Sequence, residues 1–143
     1  MKTTLILASQ RATLLTHGRE AATLNAAGEC PDHPPVVKLF TPDAACTWLL
    51  SELDPDDPDR AFGLCDLGVG FPELGWVDLR ELSALRGKLG LPVERDRHFT
   101  AAYPMSVYVR AAERARHITE QHEALEEAAR HLAEEQADSL AAE

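Results

Sequence analysis

The stretch VVKLFTPDAACTWLLSELDPDDPDRAFGLCDLG, residues 36–68, decides the fold of this chain. Its first five residues read as a strand that ends at Thr41-Pro42-Asp43-Ala44, where Pro42 carries the φ that the second position of a turn requires. Residues 47–53 read as a second strand, and Asp54-Pro55-Asp56-Asp57-Pro58-Asp59 as an acidic loop. Residues 61–67 make a third strand. Connections this short leave no room for a crossover helix, so neighbouring strands pair antiparallel as a meander. Gly68, Gly70, Pro72 and Gly75 then punctuate a loop, and Trp76-Val77 is a short fourth strand.

Helices flank this block. Ser9 can cap a helix over residues 10–16, with Leu14 and Leu15 facing inward and Gly18 as a left-handed terminator. Residues 19–26 are helix-compatible, and Pro31, Pro34 and Pro35 then impose a loop by fixing φ and removing donors. Downstream, Asp78 stands three residues before Glu81, a pattern that opens a helix over residues 79–86; Gly87 and Gly90 end it. Residues 93–99 read as an edge strand. Pro104 suits the first turn of a helix, and a helical stripe runs from Met105 to Ile118 before it thins towards residue 136. The first third of this helix is expected to pack on the domain, and the rest to project, pair with another chain or fray. The expected fold is α+β: an antiparallel meander of about four strands packed with short helices, plus a long charged C-terminal helix. Residues 1–112 would form the core domain and residues 113–143 a helical extension open to partial disorder.

The composition suits one globular domain: 143 residues, 45% hydrophobic and 27% charged. Fourteen basic residues against 24 acidic ones give a net charge of −10. A nucleic-acid binder needs a basic stripe to displace counterions from phosphates, so direct nucleic-acid binding is not expected. Attraction to an anionic membrane is disfavoured for the same reason. The charge is uneven, because residues 113–143 hold nine acids and three arginines. Cys30, Cys46 and Cys65 cannot all pair within one chain. The apolar run at residues 3–8 is shorter than a secretory signal needs, and no stretch reaches the ~20 apolar residues of a membrane span. A cytoplasmic setting with reduced thiols is therefore expected.

Several blocks carry a likeness. They are Val36 to Asp43, Trp48-Leu49-Leu50, Phe62-Gly63-Leu64, Glu73-Leu74-Gly75, Leu79 to Leu82, and Gly90-Leu91-Pro92-Val93-Glu94-Arg95-Asp96. In this order they resemble the family known as domain of unknown function 2958, over residues 5–112. The resemblance implies a small bacterial, cytoplasmic protein of the kind often encoded on plasmids and integrative elements. It brings no catalytic residues and no cofactor with it.

The residues themselves offer several candidate sites. In Glu94-Arg95-Asp96-Arg97-His98, an extended backbone would put Glu94, Asp96 and His98 on one face, where they could hold a divalent metal or act as acid and base. The plainer reading pairs these carboxylates with arginines at a sheet edge. Cys30-x-x-His33 has half the spacing of a zinc site, but Cys46 and Cys65 do not supply a second close pair. Gly68-x-Gly70 leads into Phe71-Pro72 and not into a helix, so it is a turn and no phosphate cradle. In the tail, Glu127, His131 and Glu135, like Glu113 and His117, recur at helical intervals that could hold a metal between helices. Ordinarily they stabilise an exposed helix face. The aspartates Asp54, Asp56, Asp57 and Asp59 suit a solvated hairpin tip. Phe71 and Trp76 border the glycine-rich loop; buried they would anchor it, exposed they would form a recognition patch.

With no complete catalytic constellation, the leading expectation is a non-enzymatic accessory protein that contacts a protein partner with a basic surface, with defence evasion as one such role. Phe71, Trp76, Asp54, Asp56, Asp57 and Asp59 are its candidate contacts. The alternatives are a metal-dependent hydrolase or nuclease using Glu94, Asp96 and His98, and a self-associating module. The latter would form a homodimer through an Ile118, Leu125 and Leu132 seam that His122 and Gln136 weaken.

Overall fold

The computed structural model describes residues 5–142. The strands deduced from the alternating blocks are present: β1 (Val37–Phe40), β2 (Thr47–Asp54), β3 (Asp57–Asp66) and β4 (Glu73–Asp78), with β5 (Glu94–Arg95) added later in the chain. All pairings are antiparallel, and the order across the sheet is β4-β3-β2-β1-β5. The fold is α+β, as expected, with α1 (Ala8–Ala26), α2 (Leu79–Ala84), α3 (Met105–Ala115) and α4 (His122–Ala141).

Alternation along β2 sends neighbouring side chains to opposite faces, and the sheet is covered on both. Trp48 and Leu50 join Leu14 of α1, Leu79 and Leu82 of α2, and Val37 and Leu39 in one apolar layer. Leu49 and Leu64 join Met105, Tyr108 and Ala112 of α3 and Leu125 and Ala128 of α4 in the other. Leu14, Leu39, Leu49, Leu50, Leu53 and Leu64 are fully buried. Each such leucine contributes about 1.5–3 kcal/mol relative to an exposed one.

Three local expectations change. Gly18 does not end a helix, because α1 runs through it. A Cβ there would lie 1.8 Å from the Leu53 carbonyl oxygen, so glycine lets helix and strand backbones touch. The N-terminal cap comes from Gln10, whose Oε1 accepts from the Leu7 N–H at 2.9 Å, and not from Ser9. The stripe from Met105 is not one helix: it breaks at Arg116, which takes a left-handed conformation at φ 67°. The chain then folds back, and α4 lies against α3 through Arg110–Glu135 at 2.7 Å and Arg114–Glu127 at 3.3 Å. At α2 the reading holds more closely: the Asp78 carboxylate accepts from the Arg80 N–H at 2.8 Å and caps the helix, which ends at Ala84 instead of residue 86.

The break in the helical stripe has a long-range cause. Asp66, buried at the end of β3, accepts the Gly68 N–H through Oδ1 and the Ile118 N–H through Oδ2, each at 2.9 Å. One carboxylate thereby ties the β3–β4 loop to the α3–α4 connection. No helix among the described residues is long and apolar enough to cross a membrane.

Candidate interaction surface

The segment with the most chemical character in the sequence, Glu94 to His98, lines an open cleft of about 680 Å³ with Leu5, Phe40, Pro92 and Val93. Strand geometry covers only Glu94 and Arg95, opposite Phe40 and Leu39. Asp96 is committed locally: its Oδ1 accepts from the His98 N–H at 2.8 Å, and its Oδ2 lies 3.5 Å from Lys38 Nζ, which also pairs with Glu120. Among the described residues, no three His, Cys, Asp or Glu side chains stand together so as to hold a metal ion.

The other half-motifs are used structurally. Cys30 is exposed. His33 Nε2 donates to Glu20 Oε2 at 2.7 Å, and its ring stacks on that of His17 at 4.1 Å between centroids. This cluster was not visible in the sequence, where nothing local links residues 17, 20, 33 and 52. It covers the part of β2 that β1 leaves unpaired beyond Leu50. There a bulge at Ser51 turns its carbonyl out, and His17 Nδ1–H donates to it at 2.8 Å. Glu52 is buried beneath, 3.9 Å from His33 Nδ1. Burial pushes its carboxyl above the ordinary range, against the opposing pull of His33. In the tail, Glu127, His131 and Glu135 are rungs to Arg114 and Arg110 of α3. Leu125 is buried in the layer against which Ile118 and Leu132 pack, so the seam residues are occupied within the chain.

The aromatic pair behaves differently. Phe71 and Trp76 are 66% and 44% exposed, and Leu67, Val69 and Leu74 beside them are also open to solvent. An apolar group of this size on a surface marks a contact region more often than an accident of packing. Its cause is topological. Trp76 and Leu74 pair across strands with Phe62 and Leu64, and so share the face that α3 and α4 cover. The helices reach Leu64 but leave β4 uncovered. Trp76 is nevertheless held firmly, with Phe62 tilted against it at 5.2 Å and the Arg60 guanidinium 4.6 Å above its ring. Arg116 lies 5.7 Å over Phe71.

The four candidate aspartates lie at the β2–β3 turn, which the Trp76 end of this patch meets through Arg60, whereas Phe71 lies at the other end of β3. Asp54 pairs with Arg60 at 3.1 Å and accepts the Asp56 N–H at 2.9 Å; Asp57 accepts the Asp59 N–H at 3.3 Å. Asp59 reaches Arg80 at 3.9 Å. Residues 54–78 together hold seven acids and one base, Arg60. Three further arginines lean on this ribbon: Arg11 on the Pro58 carbonyl, Arg80 on Asp59 and Asp78, and Arg116 on Phe71. The surface remains net negative.

A family model described as protein of unknown function (DUF2958) matches residues 5–119. The chain belongs to this family. The DUF2958 match spans both sheet faces and ends at Thr119, just past the Ile118 N–H that Asp66 holds, so α4 lies beyond it. Comparison with curated proteins and with solved structures returned no match.

Proposed function

We propose that this chain is a non-enzymatic, protein-binding accessory factor of bacterial mobile elements that engages a partner through that partner's basic surface. The observation that carries the reading is the exposed Phe71–Trp76 patch, whose Trp76 end meets the acidic β2–β3 turn through Arg60. An aromatic anchor supplies affinity, and negative potential around it speeds encounter with a cationic partner and penalises anionic ones. A nucleic-acid-binding face, such as that of a defence nuclease, has the right sign. The bacterial and mobile-element setting rests on the family resemblance alone. The test is a pull-down from bacterial lysate at low and high salt, comparing the wild type with a Phe71→Ser, Trp76→Ser double variant. The expected result is a reproducible, salt-sensitive partner that the variant loses; no reproducible partner at low salt would sink the reading.

A second reading, a metal-dependent hydrolase, draws on Glu94, Asp96 and His98 lining one cleft. Calorimetric titration of divalent metals into wild type and Asp96→Asn decides it: heat from the wild type alone supports the reading, and no heat from either removes it.

A further inference from the structure

The β4 strand ends the sheet with one neighbour, β3, and among the described residues its other side faces no strand. In an antiparallel ladder, alternate residues direct their N–H and C=O groups away from the paired neighbour. A six-residue strand therefore offers a row of outward backbone groups. Natural sheets blunt such an edge with charge, proline, a covering loop or brevity. β4 has none of these along its middle: Leu74-Gly75-Trp76-Val77 is uncharged, and Leu74 and Trp76 are roughly half exposed. Among the described residues, nothing lies within 4 Å of where a Gly75 Cβ would stand, which leaves open space at the centre of the strand for a side chain from outside.

We propose that β4 is a docking edge to which an extended, basic segment of another protein adds as a sixth strand, with Leu74 and Trp76 receiving its apolar side chains. This rests on the protein-binding reading and specifies its mode. Charge selects the occupant. Glu73 and Asp78 are the end residues of β4, and the acidic β2–β3 turn lies beyond the Asp78 end. A second copy of the chain would instead bring two −10 molecules together, edge to edge, with acids on both sides of the junction. A segment with lysine or arginine flanking an alternating apolar centre meets acids at both ends and apolar side chains between. Backbone bonds then give affinity largely independent of sequence, and the alternate side-chain contacts and end charges give selectivity.

The probe is a short synthetic peptide in which valine and threonine alternate between lysine pairs. It is titrated into the full chain while tryptophan fluorescence is followed. Trp48 is buried, so Trp76 is the responsive reporter. Two companions are needed: the same peptide N-methylated at alternate backbone amides, and one with glutamate in place of lysine. The expected result is saturable binding of the lysine peptide, loss of binding for the glutamate peptide, and at least about tenfold weaker binding after N-methylation, since each removed backbone bond costs about 1 kcal/mol. Equal binding of the N-methylated peptide would overturn strand addition while leaving protein binding by side-chain contact intact. No binding of any peptide would overturn the basic-strand proposal, with the lysate experiment deciding the broader reading separately. Sedimentation of the chain alone adds one more arm: a dimer that Trp76→Lys converts to a monomer of unchanged far-ultraviolet circular dichroism would assign the edge to a second copy and overturn the proposed occupant.

Discussion

The two borders of the sheet are built on opposite principles. At β5 the strand is two residues long, charges of both signs alternate from Glu94 to Arg97, and Asp96 is tied to Lys38. At β4 the strand is six residues long, its middle is uncharged, and the nearby Leu67, Val69 and Phe71 add apolar surface. The first border is closed to other chains by the devices that prevent unwanted pairing. The second lacks them in the same molecule. A third stretch of edge, on β2 beyond Leu50, is hidden and satisfied by side chains, with His17 bonding Ser51 and Glu52 buried under His33. The chain thus closes two of its open strand segments and leaves the apolar one accessible.

This contrast requires the open border to sit on a rigid frame. Gly63 of β3 is where that frame is tightest: a Cβ there would fall 1.9 Å from the Leu49 carbonyl oxygen. Gly63→Ala is expected to destabilise the fold by about 3 kcal/mol or more in chemical denaturation, the scale of severe overpacking. A cost under about 1 kcal/mol would mean that the sheet yields easily at β3 and that the open border lacks a rigid frame. Next comes Asp66→Ala, which strips acceptors from the Gly68 and Ile118 N–H groups. The expected cost is about 1–3 kcal/mol, with faster hydrogen exchange at residues 67–72 and 117–119 together. Faster exchange in only one segment would show that the carboxylate does not couple them.

Smaller effects test the closed borders. Glu52 has a folded-state pKa raised by burial, so protonation favours the folded chain. Its stabilising contribution is fully present below the unfolded carboxylate pKa and is lost as pH rises through the raised folded value. Glu52→Gln should therefore raise Tm at neutral pH, by no more than a few degrees, and the gain should shrink as pH falls towards the carboxylate range. A gain that grows on acidification would reverse the assignment. At β5, Asp96→Asn removes a partly exposed ion pair and should cost less than about 1 kcal/mol, with a cost that falls further at high salt. A larger cost would make β5 a structural clamp and not just a guarded edge.

Much of the fold was legible because its information is local. Strand-like runs, the Pro42 turn and the Asp78 cap each act within a few positions, and β1 to β4 and α2 follow from them. What was misread depends on contacts between distant residues. A glycine at position 18 looks the same whether it terminates a helix or lets a helix touch Leu53, 35 residues away. The break at Arg116 carries no glycine or proline; part of its explanation is Asp66, 52 residues earlier. The candidate surface was half legible. Phe71 and Trp76 stood out beside the glycine-rich loop, but their exposure depends on how far α3 and α4 extend over the sheet, which no local pattern encodes. The His17–His33 stack left no sequence signal at all.

The Gly18 contact also bears on how tolerant the chain is to change in length. A helix notched against a carbonyl at one point has its axial position set there, so the connection that follows is not the ruler for where α1 lies. Gly28 and Glu29, both exposed, occupy that connection, and Gly28 has open space around it. A few inserted residues at this point would lengthen the tether while the notch kept α1 in place, which makes it a natural position for attaching a label or a second domain.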